Sequence, residues 1–167
     1  MKRAMSRRRN EAADLEFMKA AVDQARRGIK AGQTPFGACL VKDGELVVGG
    51  HNEVWATTDI TAHAEVRVIR KACKKLKTVD LSGCTIYSTC EPCPMCFSAI
   101  HWANIGRIVY GAEIADAEAA GFDELRISNS ALNDLGKAGI EIVSGVLKDE
   151  CVRLFELWKQ RPDHQAY

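Results

Sequence analysis

His63 and Glu65 stand two residues apart at the head of a stretch with helical apolar spacing, and Cys93 and Cys96 stand three apart in Pro92-Cys93-Pro94-Met95-Cys96. One imidazole and two thiolates make three protein ligands, the usual number for a catalytic zinc ion that keeps a fourth position for water. The cysteines fall at the start of a helix predicted from Pro94 to Trp102, where side chains three apart share a face and unpaired backbone NH groups favour thiolates. Pro94 suits the first helical turn, since the NH it lacks has no partner there. Glu65 is not needed as a ligand. A carboxylate beside a metal-activated water takes a proton from it and passes it to substrate, so the chemistry these residues imply is metal-assisted hydrolysis. The competing readings are a core histidine, a surface glutamate and a buried or redox cysteine pair. A closed structural zinc site is another, for which Cys90 is the nearest fourth ligand.

For these side chains to meet, two helix starts must converge on one ion. From Ala62 onward, Val66, Ile69, Cys73 and Leu76 repeat at helical spacing, which puts His63 and Glu65 in a first turn that can lean past the helix end. Residues 12 to 31 read as an earlier amphipathic helix that ends near Gly28 to Gly32. Phe36–Val41 and Glu45–Gly49 flank Lys42-Asp43-Gly44 and read as an antiparallel hairpin. Cys84–Ser88, Arg107–Tyr110 and Ile140–Val143 read as further strands, and Leu147–Lys159 as a last helix. The alternation predicts an α/β fold, a three-layer α/β/α arrangement about a central mixed five-stranded sheet, whose strand order the sequence does not yield.

At 167 residues the chain fits one domain. The first ten residues, MKRAMSRRRN, read as a basic, flexible arm, residues 11–160 as the domain, and residues 161–167 as a tail able to act as an active-site lid. No apolar run approaches the ~20 residues of a membrane span, and no export signal is visible, so the expected location is the cytoplasm. Seven cysteines, an odd count, argue against a disulfide framework. Cys39, Cys73, Cys84 and Cys151 read as small buried hydrophobes. The net charge of +1 favours a small substrate over nucleic acid.

An H-x-E motif followed by P-C-x-x-C is the signature of zinc deaminases that act on nucleobases. Through Thr61-Ala62-His63-Ala64-Glu65-Val66 and Cys90-Glu91-Pro92-Cys93-Pro94-Met95-Cys96, the chain resembles the cytidine deaminase superfamily. Within it, the sequence is similar to bacterial guanine deaminases in Pro35-Phe36-Gly37-Ala38, Asn52, Ala99-Ile100-His101-Trp102-Ala103, Ala120-Gly121-Phe122-Asp123 and the closing Tyr167. The resemblance implies a cytidine deaminase-like fold, a Zn2+ cofactor, hydrolysis of guanine to xanthine and ammonia, and a homodimer whose C-terminal segment closes the partner's site.

By the same resemblance, Asn52 binds the base, Glu124 reads the purine edge, Phe36 and Trp102 form aromatic walls, Ala64 and Asp123 complete the substrate site, and Tyr167 belongs to the lid. Glu124 departs from the pattern, in which aspartate follows the Phe-Asp pair. From the residues alone, Glu124 reads equally as a solvated loop acid, Asn52 as a turn residue, Phe36 and Trp102 as core aromatics, and Tyr167 as the end of a frayed tail. The tRNA adenosine deaminases share the metal motif and resemble Arg107–Ala112 and Gly145–Cys151. On that alternative Lys74, Lys75, Lys77 and the N-terminal arginines form an RNA surface. Cytosine or another aminated heterocycle, or a catalytically silent zinc-binding interaction protein, are the remaining readings.

Overall fold

A computed structural model describes residues 2–167, with side chains from Glu11 onward. In chain order the elements are α1 (Lys2–Lys30), β1 (Gly37–Lys42), β2 (Glu45–His51), α2 (Val54–Thr57), α3 (Ala64–Leu76), β3 (Cys84–Cys90), α4 (Pro94–Trp102), β4 (Arg107–Ala112), α5 (Ile114–Ala120), α6 (Asn129–Gly136), β5 (Glu141–Val143) and α7 (Lys148–Lys159). Of the expected arm at 1–10, Met1 and the side chains through Asn10 lie outside the described residues, and the backbone from Lys2 is part of α1.

The five strands form one mixed sheet in the order β2-β1-β3-β4-β5. Strand β1 pairs antiparallel with β2 and β3, whereas the central β3 and its neighbours β4 and β5 run parallel. The hairpin turns at Asp43 and Gly44, both with positive φ (52° and 77°), as the two-residue turn that matches strand twist requires.

Side chains alternate along each strand, and the two faces feed two cores. Cys39, Val41, Tyr87 and Val109 pack with Phe17, Met18 and Val22 of α1 and Leu154, Phe155 and Trp158 of α7. Leu40, Ile86 and Ile108 pack with Val68 and Ile69 of α3 and Phe97 and Ile100 of α4. The sheet is thus the middle of three layers. At Gly37 a Cβ would collide with the Ala21 carbonyl and the Ala25 amide, so the absent side chain lets α1 lie directly on β1.

Strands β3 and β4 run past their predicted ends at Ser88 and Tyr110 because the parallel register continues to Cys90 opposite Ala112. That extension carries the sheet to the cysteine loop. Three short helices, α2, α5 and α6, have no counterpart in the sequence reading, since a few residues hold too few apolar repeats to show a period. Local caps define two of them. Glu113 and Asp116 form a reciprocal capping box on α5, and Ser128 Oγ accepts from the Ala131 NH on α6. Among the described residues no helix is long and apolar enough to cross a membrane.

Candidate metal centre and active site

His63 and Cys93 occupy equivalent places, each the N-cap of its helix with extended backbone (φ −62°, ψ 153° and φ −62°, ψ 166°). An N-cap side chain ordinarily turns back to accept a helix NH. Neither of these does, so both point away from the helices they begin. Cys96 lies one turn into α4, fully buried. The starts of α3 and α4 meet beside the carboxyl end of β3, where crevices of open α/β sheets hold their ligands.

The donor atoms converge. His63 Nδ1 lies 3.7 Å from Cys93 Sγ and 3.6 Å from Cys96 Sγ, and the three donors lie within 4.8 Å of one another. For a tetrahedral zinc with ordinary bond lengths, nitrogen–sulfur separations come to about 3.6 Å and sulfur–sulfur to about 3.8 Å. The residues therefore fit zinc. Cys90 does not belong to the group: its thiol points at the Glu113 carbonyl, 3.6 Å away, so the site keeps three protein ligands.

The two thiols are not equivalent. A hydrogen bond from Cys96 holds Cys93 down to about 4, against the cost of burial and with help from His63. The same bond and deep burial push Cys96 well above the ordinary thiol range. Sulfur atoms that already compete for one proton favour a shared cation.

Glu65 is buried next to the donors but is not one of them. Its Oε1 accepts from Ser88 Oγ at 2.9 Å and its Oε2 faces Cys96 Sγ at 3.5 Å. Burial raises its carboxyl above the usual range, with the Ser88 bond opposing. Ser88, expected from the sequence only as the end of a strand, was given no part in the site. The only signal for it was its place in the strand that leads to the cysteines, and which side chain sits opposite Glu65 depends on how α3 packs on the sheet.

Two linked cavities open here. The inner one, about 20 Å³, is lined by Phe36, His63, Glu65, Cys90, Glu91, Cys93, Glu124 and Tyr167. The outer one, about 360 Å³, adds Ile60, Met95, Phe122, Asp123 and Leu125. Glu124 borders both, and burial, followed by the Cys93 charge, pushes its carboxyl up to about 7. Phe36 stacks edge-on to Phe122 at 4.8 Å, and Asp123 lies at the outer rim. Ile60, Met95 and Leu125, all exposed, form an apolar lip that the sequence reading does not contain.

Asn52 is fully buried and held on both sides: its Oδ1 accepts from the Val54 NH and its Nδ2 donates to Tyr167 Oη at 2.7 Å. Tyr167 packs its ring 5.5 Å from that of His63, and Trp55 Nε1 donates to the Gln165 carbonyl. The tail thus reaches this chain's own site, where the resemblance implies the partner's. Ala64 begins α3 with its methyl in the core, so it can offer the site only backbone.

Trp102 does not line the site. It ends α4, the helix that Cys93 caps at its start, and about 12 Å of helix separates those ends. It is 82% exposed, beside Phe97, His101 and Leu132. The correction is one of geometry, because helix length carries the ring away from the metal.

Residues 11–112 match the family model of the cytidine and deoxycytidylate deaminase zinc-binding region. The chain is 51% identical to guanine deaminase of Bacillus subtilis over 65% of its own length and 70% of the relative's. It is 37% identical to the tRNA-specific adenosine deaminase of the same organism over 83% of both chains. A solved guanine deaminase structure from Nitrosomonas europaea aligns with a TM-score of 0.81 at 30% identity, covering 88% of this chain and 85% of that one.

Proposed function

Because the chain belongs to the cytidine and deoxycytidylate deaminase zinc-binding family, we propose that this zinc-dependent hydrolytic deaminase acts on a free purine base, converting guanine and water to xanthine and ammonia. The observation that carries the substrate is Glu124, an acid at the junction of the two cavities facing the side of the chamber that holds Glu65 and His63. Guanine presents a ring NH and an amine, both donors, to such a carboxylate, whereas adenine presents ring acceptors to it. No Lys or Arg lines either cavity among the described residues, so a phosphate-bearing substrate meets Asp123 and Glu124 at the mouth.

His63, Cys93 and Cys96 would hold a zinc ion, which would supply Lewis acidity and an activated water at neutral pH. Glu65 would take one proton from the attacking water and deliver it to the ring nitrogen next to the amine-bearing carbon, then carry the water's second proton to the amine, which leaves as ammonia as the carbon becomes a carbonyl. Ser88 holds one Glu65 oxygen, so the other is left to move protons. Tyr167 lines both cavities, and Asn52, which lines neither, holds the Tyr167 hydroxyl from behind, so its part in base binding goes through Tyr167.

The second reading is deamination of adenosine in tRNA, favoured by the longer stretch over which the chain matches a tRNA-specific enzyme. Ammonia release from guanine, a tRNA anticodon stem-loop, cytosine and aminated triazines separates the two. Guanine is expected to be the fastest substrate, by about 10²-fold or more over those that cannot pair with Glu124. Release from the stem-loop without release from guanine overturns the substrate assignment.

A further inference from the structure

One fully buried polar side chain bears on the cysteine loop without touching the metal donors. Asn129 is the first residue of α6 and is 0% exposed. Its Nδ2 donates to the Pro92 carbonyl at 2.6 Å, and its backbone NH donates to Glu91 Oε1 at 2.7 Å. Glu91 Oε2 accepts from the NH of Ile114, the first residue of α5, at 3.5 Å. The Glu91 NH in turn donates to the Ala112 carbonyl of β4 at 2.8 Å. The residues that join β3 to α4 are therefore gripped by β4, α5 and α6.

That grip acts on a place where α4 gives no help of its own. Cys93 is an N-cap whose side chain makes no capping bond, so the direction of its Sγ follows from the peptide plane that precedes it. That plane carries the buried Pro92 carbonyl, which Asn129 holds, and Pro92 has no NH of its own with which to fix the loop one step earlier. The geometry points to Asn129 as a positioning residue of the metal centre. By holding the Pro92 carbonyl it aims Cys93 Sγ at His63 Nδ1 and Cys96 Sγ, and so slows loss of the ion. This role rests on the zinc assignment and is independent of which base is deaminated.

Transfer of zinc from the loaded, full-length protein to excess chelator tests it. N129A and N129L are expected to release zinc about 10–100-fold faster than the wild-type chain, the range for outer partners of metal ligands. Turnover per bound zinc should stay close to wild type, because Glu65 is untouched. N129L keeps the side chain's size and the backbone bond to Glu91 but carries no donor, so it reads the hydrogen bond without a cavity. N133A is the control. Asn133, on the same helix, pairs with the backbone of Ile140 at 2.9 and 3.0 Å and has no bond to the cysteine loop. Its loss should lower the unfolding midpoint and leave zinc release unchanged. A wild-type release rate in N129L, or equal acceleration in N133A, overturns the assignment, whereas wild-type protein that carries no zinc overturns the metal reading beneath it.

Discussion

Glu65 and its Ser88 partner show how a residue's role is set by what surrounds it. A buried carboxylate with one oxygen held by a hydroxyl and the other facing the Cys96 thiol is placed for the proton transfer proposed for it. Glu65→Gln keeps the shape and removes the titratable oxygen. We expect zinc content equal to wild type with turnover reduced about 10²- to 10⁴-fold, the usual contribution of a positioned general acid–base. Parallel metal analysis and ammonia assay check this, and undiminished turnover would remove Glu65 from the mechanism. At this scale the sequence was informative where the signal is local. His63 with Glu65, and Cys93 with Cys96, are near neighbours whose types and spacing declare the site. Ser88 and Asn129 act on residues 23 and 37 positions away, and nothing in their own surroundings in the sequence announces it.

Helix α4 joins the chemistry to the core. Its first turn carries Cys93 and Cys96, its buried face sets Phe97 and Ile100 into the sheet packing, and its last residue, Trp102, faces solvent. All seven cysteines are free, so thiol labelling reports on the helix start directly. In the zinc-loaded protein the half-buried Cys73 should react first, and the buried Cys39, Cys84, Cys90 and Cys151 should wait for unfolding. Chelation should add one fast thiol, the half-buried Cys93, while Cys96, at 0% exposure, stays slow. An unchanged thiol count after chelation would show that these sulfurs do not hold the metal. The long helices and the hairpin were legible because their periods repeat over many residues. Helices α2, α5 and α6 were not, since capping and docking rather than periodicity define them.

For the molecule as a whole, one network ties the layers together far from the metal. Asp14 of α1 accepts two bonds from Arg107 of β4, at 2.7 and 2.8 Å, and one from Tyr87 Oη of β3 at 2.9 Å. The pair is largely buried, with side chains 19% and 7% exposed. Removing one partner strands the others, so Asp14→Ala should cost about 3 kcal/mol of stability, read from the denaturant midpoint, without changing zinc per chain. A variant as stable as wild type would reduce this network to surface decoration. What the sequence determined by itself was the α/β class and the types and spacing of the candidate metal donors and of the proposed proton carrier, because spacing along the chain and side-chain chemistry are sufficient for each. Tertiary structure alone decided the strand order, the pairing of Ser88 with Glu65, the bond from Asn129 to the Pro92 carbonyl, the meeting of Glu124 with Tyr167 around one cavity with Asn52 behind the Tyr167 hydroxyl, and the removal of Trp102 from it. Each of these is a contact between segments distant in sequence, and it exists only once the sheet has been assembled and the helices have docked on it.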